Sequence, residues 1–129
     1  MQAVLKDIEV MYVEANGGTD GAMDAIQELE GRLRSLKGRK FYGTYLDGQY
    51  RACVALKDDD NPKELGLETW VIPGGEFIRR KMENYTEKIP EIGQTFQAMI
   101  DENPWDATRP SIEFYRSHKD LILYLPTLG

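Results

Sequence analysis

The sequence predicts an α+β fold: an antiparallel sheet with two helices on one face. Three observations predict it. Segments alternating apolar and polar residues at period two recur along the whole chain. Only two segments carry an apolar stripe at helical spacing. Their order, β-α-β-β and then β-(β)-α-β-β, is nearly one unit written twice. The duplication is one of pattern, without a residue-level repeat. Two helices cover one sheet face, which leaves the other for solvent, a second subunit or a binding groove.

In chain order, "DIEVMYVEA" sets Ile8, Val10 and Tyr12 on one face and Glu9, Met11 and Val13 on the other, as a strand does. "NGGTDG" is a turn cluster, after which Thr19 or Asp20 can cap a helix. Ala22, Ile26, Leu29, Leu33 and Leu36 form its stripe. Gly38 ends it, and Lys37, Arg39 and Lys40 suit the negative end of its dipole. "FYGTYLD" and "QYRACVALK" make a hairpin around Asp47-Gly48. "DDDNPKELG" reads as a mobile, solvent-facing loop. "LETWVIPGGEFIRRKM" reads as two strands broken by a strand-to-strand turn at Pro73-Gly74-Gly75, with Arg79, Arg80 and Lys81 on a solvated edge. "ENYTEK" is a connector. Pro90 opens the second helix, with Ile92, Phe96, Met99 and Ile100 as its stripe, and Asn103-Pro104 closes it. "SIEFYR" and "LILYLP" form the last hairpin across "SHKD".

Composition excludes several functions. The 129 residues fit one domain, 1–129, of ordinary soluble composition (41% hydrophobic, 29% charged). A single cysteine, Cys53, excludes an intrachain disulfide and a cysteine-cluster zinc site. No apolar run approaches the ~18 residues of a membrane span. The N-terminal segment has no basic-then-apolar leader pattern, so a cytoplasmic location is expected. The net charge of −6 argues against nucleic-acid binding and is compatible with cationic ligands. The one histidine, His118, sits in a polar turn without partner spacing for a metal or a nucleophilic triad. "PGG" matches no phosphate-binding loop. No metal, cofactor, nucleic acid or membrane is therefore expected as a partner.

The aromatic residues gather in the strands, among them Phe41, Tyr45, Tyr50, Trp70 and Tyr115. In "SIEFYR", Ile112 and Phe114 share one face and Glu113 and Tyr115 the other. The apolar pair suits the helices, which would leave Glu113 and Tyr115 on the helix-free face. There Glu113 is either a rim charge beside a half-exposed tyrosine or the one carboxylate of an aromatic groove. In the second case, rings and carboxylate together suit a flat, apolar, cationic molecule. A desolvated carboxylate also has a raised pKa and can act as a general acid or base.

The segments "SLKGRKFYGTY", "QYRACVAL", "LGLETWVIPGGEFIRRK" and "RPSIEFYR…LILYLP" resemble the GyrI-like, or small-molecule effector-binding, domains of bacteria. "IPGGEF" is similar to that family's "VPAGxY" turn, and "IEFY" to its "xEiY" strand. The resemblance implies duplicated β-α-β-β units with a ligand cleft on the face away from the helices. It implies that Glu113, with Tyr115 beside it, meets hydrophobic or cationic aromatic ligands, and that Tyr45 and Trp70 line the walls. Phe41 and Tyr50 complete the candidate site. The resemblance also implies two other roles. One is hydrolysis of strained electrophiles such as cyclopropane-containing DNA alkylators, with Glu113 as general acid or base and Tyr115 as the second catalytic residue. The other is gyrase inhibition.

Overall fold

The seven expected strand segments join one sheet of eight strands, an unexpected first strand at its edge, in the computed structural model, which describes residues 2–128; Met1 and Gly129 lie outside the described residues. The strands are β1 (Gln2–Leu5), β2 (Ile8–Glu14), β3 (Phe41–Leu46), β4 (Gln49–Ala55), β5 (Glu68–Ile72), β6 (Gly75–Glu83), β7 (Ser111–Tyr115) and β8 (Asp120–Pro126). Three helices accompany them: α1 (Ala22–Arg32), α2 (Pro62–Leu65) and α3 (Glu91–Glu102). The sheet order is β1-β6-β8-β7-β3-β4-β2-β5, with every neighbouring pair antiparallel. This is the expected α+β class, with the sheet rolled into half a barrel.

Local chemistry explains the connections. Asp47 (φ 50°) and Gly48 (φ 82°) both lie in the left-handed region, so a two-residue turn joins β3 to β4 without breaking register. Pro73-Gly74 works differently from the expected strand-to-strand turn. β5 pairs with β2 and β6 with β1 and β8, so the two strands lie far apart in the sheet. The segment is a bend that carries the chain from one part of the sheet to the other. The Gly74 N–H donates to Asp7 Oδ1 at 2.7 Å, and Arg109 donates to the carbonyls of Gly74 (3.1 Å), Glu76 (3.1 Å) and Thr127 (2.8 Å). Among the described residues β1 pairs with Gly75–Ile78, and Arg79–Lys81 continue along β6 beyond those pairs.

Rolling gives the sheet two apolar sides. Val10, Cys53, Ile72, Phe77, Ile112, Ile122 and Tyr124 are buried together inside the roll, with Ala3, Tyr42, Trp70 and Phe114 packed against them. All eight strands contribute to this cluster, edges included. The other side takes the helices. α1 buries Ala25 and Leu29, and Leu33 just past its end joins them, against Met11, Ala52 and Val54. α3 brings Met99, Ile92 and Phe96 onto Leu121, Leu123 and Leu125.

Two expectations about α1 and the loop after β4 change. α1 stops at Arg32, a turn before Leu36, and Leu36 is 46% exposed. Arg32 donates to the carbonyls of Leu65 and Gly66, and Leu33 reaches the core in an extended conformation (φ −86°, ψ 142°). The segment 58–66 is anchored rather than free. Asp60 accepts two hydrogen bonds from Arg39 (2.5 and 2.7 Å), with both side chains under 10% exposed. Asn61 then caps α2 by accepting from the Glu64 N–H.

Candidate functional site

The period-two alternation of β7 holds, but its faces are the reverse of those expected. Ile112 and Phe114 join the cluster inside the roll. Glu113 and Tyr115 lie on the helix-bearing face: Tyr115 packs with the α3 cluster, and Glu113 lies opposite Leu123 of that same cluster. The face without helices is the barrel interior, and it needs apolar residues as much as the helix face does. An apolar pair therefore could not indicate which side the helices take. α1 rests on β4 and β2, and α3 on β8. Between them β3 and β7 form a strip where Phe41, Glu113 and Tyr115 are only partly buried.

On this strip, three side chains from two strands meet. Tyr50 of β4 is almost fully buried, at 2% exposure. Its hydroxyl lies 3.1 Å from Glu113 Oε1 and 3.1 Å from the Tyr115 hydroxyl. Tyr115, two residues along β7 from Glu113, donates to the same Oε1 at 2.6 Å. Gly43 of β3, paired with Glu113, makes room for this meeting: a Cβ there would sit 2.1 Å from the Tyr50 hydroxyl and 2.8 Å from Glu113 Oε1.

Burial pushes the Glu113 pKa above the usual carboxylate range, and the hydroxyl donors Tyr115 and Tyr50 pull it back only in part. Burial also raises the phenols of Tyr50 and Tyr115, and the nearby charge of Glu113 raises them further. Tyr85, whose ring lies 5.9 Å from that of Tyr115, is raised in the same way. Among the described residues, no ion pair involves Glu113. The site is thus a partly open carboxylate set among phenols and without a cation of its own.

The expected site residues divide. Glu113, Tyr115 and Tyr50 are in contact. Phe41 lies opposite Tyr115 in register, and Tyr45 lies opposite Tyr50 and Ser111, so both share the face of Glu113. Tyr45 is 43% exposed. Trp70 does not join them. It sits on edge strand β5 and on the other sheet face, edge-on to Tyr12, with the Arg51 guanidinium 4.5 Å from its ring. Sequence reasoning missed Gly43 and Tyr85. A glycine inside a strand is a signal of close approach, so Gly43 was open to detection. Tyr85 lies in a short 3-10 turn with no such signal. Outside the site, His118 is exposed between β7 and β8, and burial pushes the Cys53 thiol up to about 12. Two surface hollows of about 640 and 620 Å³ lie elsewhere, one against Tyr12, Pro62 and Glu68, the other against Lys6, Ile8 and Val71.

No family model and no curated protein matches the sequence. Solved structures match the fold. An integron cassette protein from the mobile metagenome of Vibrio cholerae aligns with a TM-score of 0.71 at 15% identity, covering 98% of this chain and 94% of that one. The EcmrR C-terminal domain aligns at 0.68 and 11% identity, covering 98% and 94%. SAV2435, solved bound to tetraphenylphosphonium, aligns at 0.62 and 13% identity, covering 100% and 93%. The chain shares their fold. Each match spans nearly the whole of both chains, and at such identities the likeness extends to the fold alone.

Proposed function

We propose that this chain is a GyrI-like domain that binds hydrophobic, cationic aromatic small molecules over Glu113, as a sensor or sequestering protein. The observation that carries the reading is the carboxylate itself. It is partly buried among three tyrosines, held by two hydroxyls and left without a cationic partner among the described residues. Such a group gains from a ligand that brings a positive charge and apolar rings. Two further facts support it. A protein of the same fold was solved with tetraphenylphosphonium, a cation of that kind. The strand order also reads alike from the two ends: β2-β4-β3 and β6-β8-β7 meet at β3 and β7, as two β-α-β-β units would. On this reading the cleft lies on the helix-bearing side, between α1 and α3, with Phe41, Tyr45 and Tyr85 around Glu113.

Tetraphenylphosphonium titrated into the purified protein and followed by calorimetry tests the proposal. The phosphonium meets Glu113 through charge alone, worth about 1–4 kcal/mol near contact between the bulk-water and protein-surface limits, so Glu113→Gln weakens binding at least about fivefold. Trp70→Ala, on the other face, leaves the affinity of the folded protein unchanged. Equal affinity in the wild type and Glu113→Gln overturns the reading.

A further inference from the structure

The two oxygens of Glu113 are not equivalent. Both phenol hydroxyls converge on Oε1, Tyr115 at 2.6 Å and Tyr50 at 3.1 Å. Oε2 has no hydrogen-bond partner among the described residues. It is not a sealed, unsatisfied atom either: no buried side-chain nitrogen or oxygen is left without a partner among the described residues, so Oε2 must reach the accessible surface. Glu113 retains partial exposure, as this requires. Of its two cross-strand neighbours, Gly43 has no side chain, the space above it being taken by the Tyr50 hydroxyl and Oε1, and Leu123 lies on the other side.

One oxygen is therefore fixed and the other is free. The two phenols hold the carboxylate in place, and a held acceptor loses less freedom when a donor binds it. The phenol at Tyr50 is locked by burial, and the Tyr115 ring is packed with the α3 cluster and beside Tyr85. A carboxylate oxygen left without a partner is still a directional acceptor, and only a ligand with a proton to donate uses that direction. A quaternary cation offers charge without a donor and meets the same oxygen only through Coulomb attraction, which water at the surface weakens.

From this we infer that the site selects aromatic cations bearing an N–H donor, such as protonated amines or amidines, over quaternary cations of the same charge and ring system. The inference rests on the proposed ligand site at Glu113 and specifies its ligand class. The N–H bonds to Oε2 while the rings lie against the tyrosines of the strip. Tetraphenylphosphonium would bind without this contact.

A matched ligand pair tests the inference: biphenyl-4-ylmethylammonium and its N,N,N-trimethyl derivative, both singly charged at pH 7 and carrying the same rings. Calorimetry on the wild type measures the ratio of the two dissociation constants. The expected result is binding at least about tenfold tighter for the ammonium, despite the apolar surface that three methyl groups add. In Glu113→Gln, where a neutral amide replaces the carboxylate, the ratio falls to within about twofold. The wild-type comparison needs no variant to fold. Equal wild-type binding of both ligands, lost in Glu113→Gln, overturns the donor preference and leaves the ligand site standing. Binding of neither ligand overturns the site and the preference together. A tenfold preference that persists in Glu113→Gln places the donor contact elsewhere and overturns the inference.

Discussion

Gly43→Ala tests whether the Tyr50–Glu113–Tyr115 cluster is as tightly assembled as its distances indicate. The added methyl group would stand 2.1 Å from the Tyr50 hydroxyl, where an ordinary contact begins near 3.4 Å. The hydroxyl must therefore retreat by about 1.3 Å, or β3 must shift. Tyr50 is 2% exposed and has little space to move into. Retreat also stretches its contacts to Glu113 and Tyr115, each 3.1 Å. Overpacking of this kind costs about 1–3 kcal/mol, and each weakened hydrogen bond about 0.5–1.5 kcal/mol. Alanine recovers about 0.5–1 kcal/mol because glycine is unfavourable inside a strand. The net loss is about 2–3 kcal/mol, or roughly 8–12 °C in Tm for a domain of this size. Urea and thermal unfolding measure it. Tyr50→Phe removes the clashing oxygen but leaves the ring carbon 2.8 Å from the added methyl. In that background Gly43→Ala should cost at least about 1 kcal/mol less than in the wild type. A Gly43→Ala protein as stable as the wild type, or an equal cost in both backgrounds, refutes the reasoning.

Three other outcomes follow from the same geometry. Glu113 has a raised pKa in the folded state, so between the ordinary carboxylate value near 4.3 and that higher value the folded protein holds more protons than the unfolded chain. Stability falls as pH rises through that window; Glu113→Gln removes the loss, so thermal unfolding from pH 4 to 8 should show the variant gaining on the wild type as pH rises. Asp60→Ala strands Arg39 in a site where both side chains are under 10% exposed, and urea unfolding should show a cost of about 3–5 kcal/mol, against less than about 1 kcal/mol for Glu102→Ala at the exposed Arg80 pair. Leu29→Ala should cost about 2–5 kcal/mol and Leu36→Ala within about 0.5 kcal/mol, since Leu29 is fully buried and Leu36 lies beyond the end of α1; equal costs would mean the helix runs on to Gly38.

What was legible in the sequence was local. The Asp47-Gly48 turn, the α3 stripe with its Asn103-Pro104 stop and the alternation of β7 all reflect chemistry between residues close in the chain. Features set by distant partners were not legible. The Arg39–Asp60 pair joins residues 21 apart and turns a charged segment that reads as mobile into an anchored one. Arg32 finds its acceptors at Leu65 and Gly66, and helix α1 ends there rather than where its stripe ends. Trp70 enters the expected site through the family resemblance. Its place on edge strand β5, beside Tyr12 of the neighbouring β2, depends on strand order, which alternation does not encode. The face of Glu113 was lost for a related reason: alternation sorts residues into two sets, and when both sheet faces are buried neither set is marked as inner.

The reversal of faces strengthens the functional reading. A carboxylate on a solvent-washed face would keep its water and have an ordinary pKa. Glu113 instead lies on a strip between two helix-bearing halves, where burial already disfavours its charge. Two phenols direct their hydrogen bonds to one oxygen and offset part of that cost. The arrangement opposes the stability of the empty protein at neutral pH. On the proposed function, a cationic ligand reverses that balance. It stabilises the ionised form, lowers the carboxylate pKa and supplies the partner that the described residues lack. A structural glutamate would be expected to have its charge paired within the fold. On the proposed reading, the oxygen left without a partner is the one that a ligand meets.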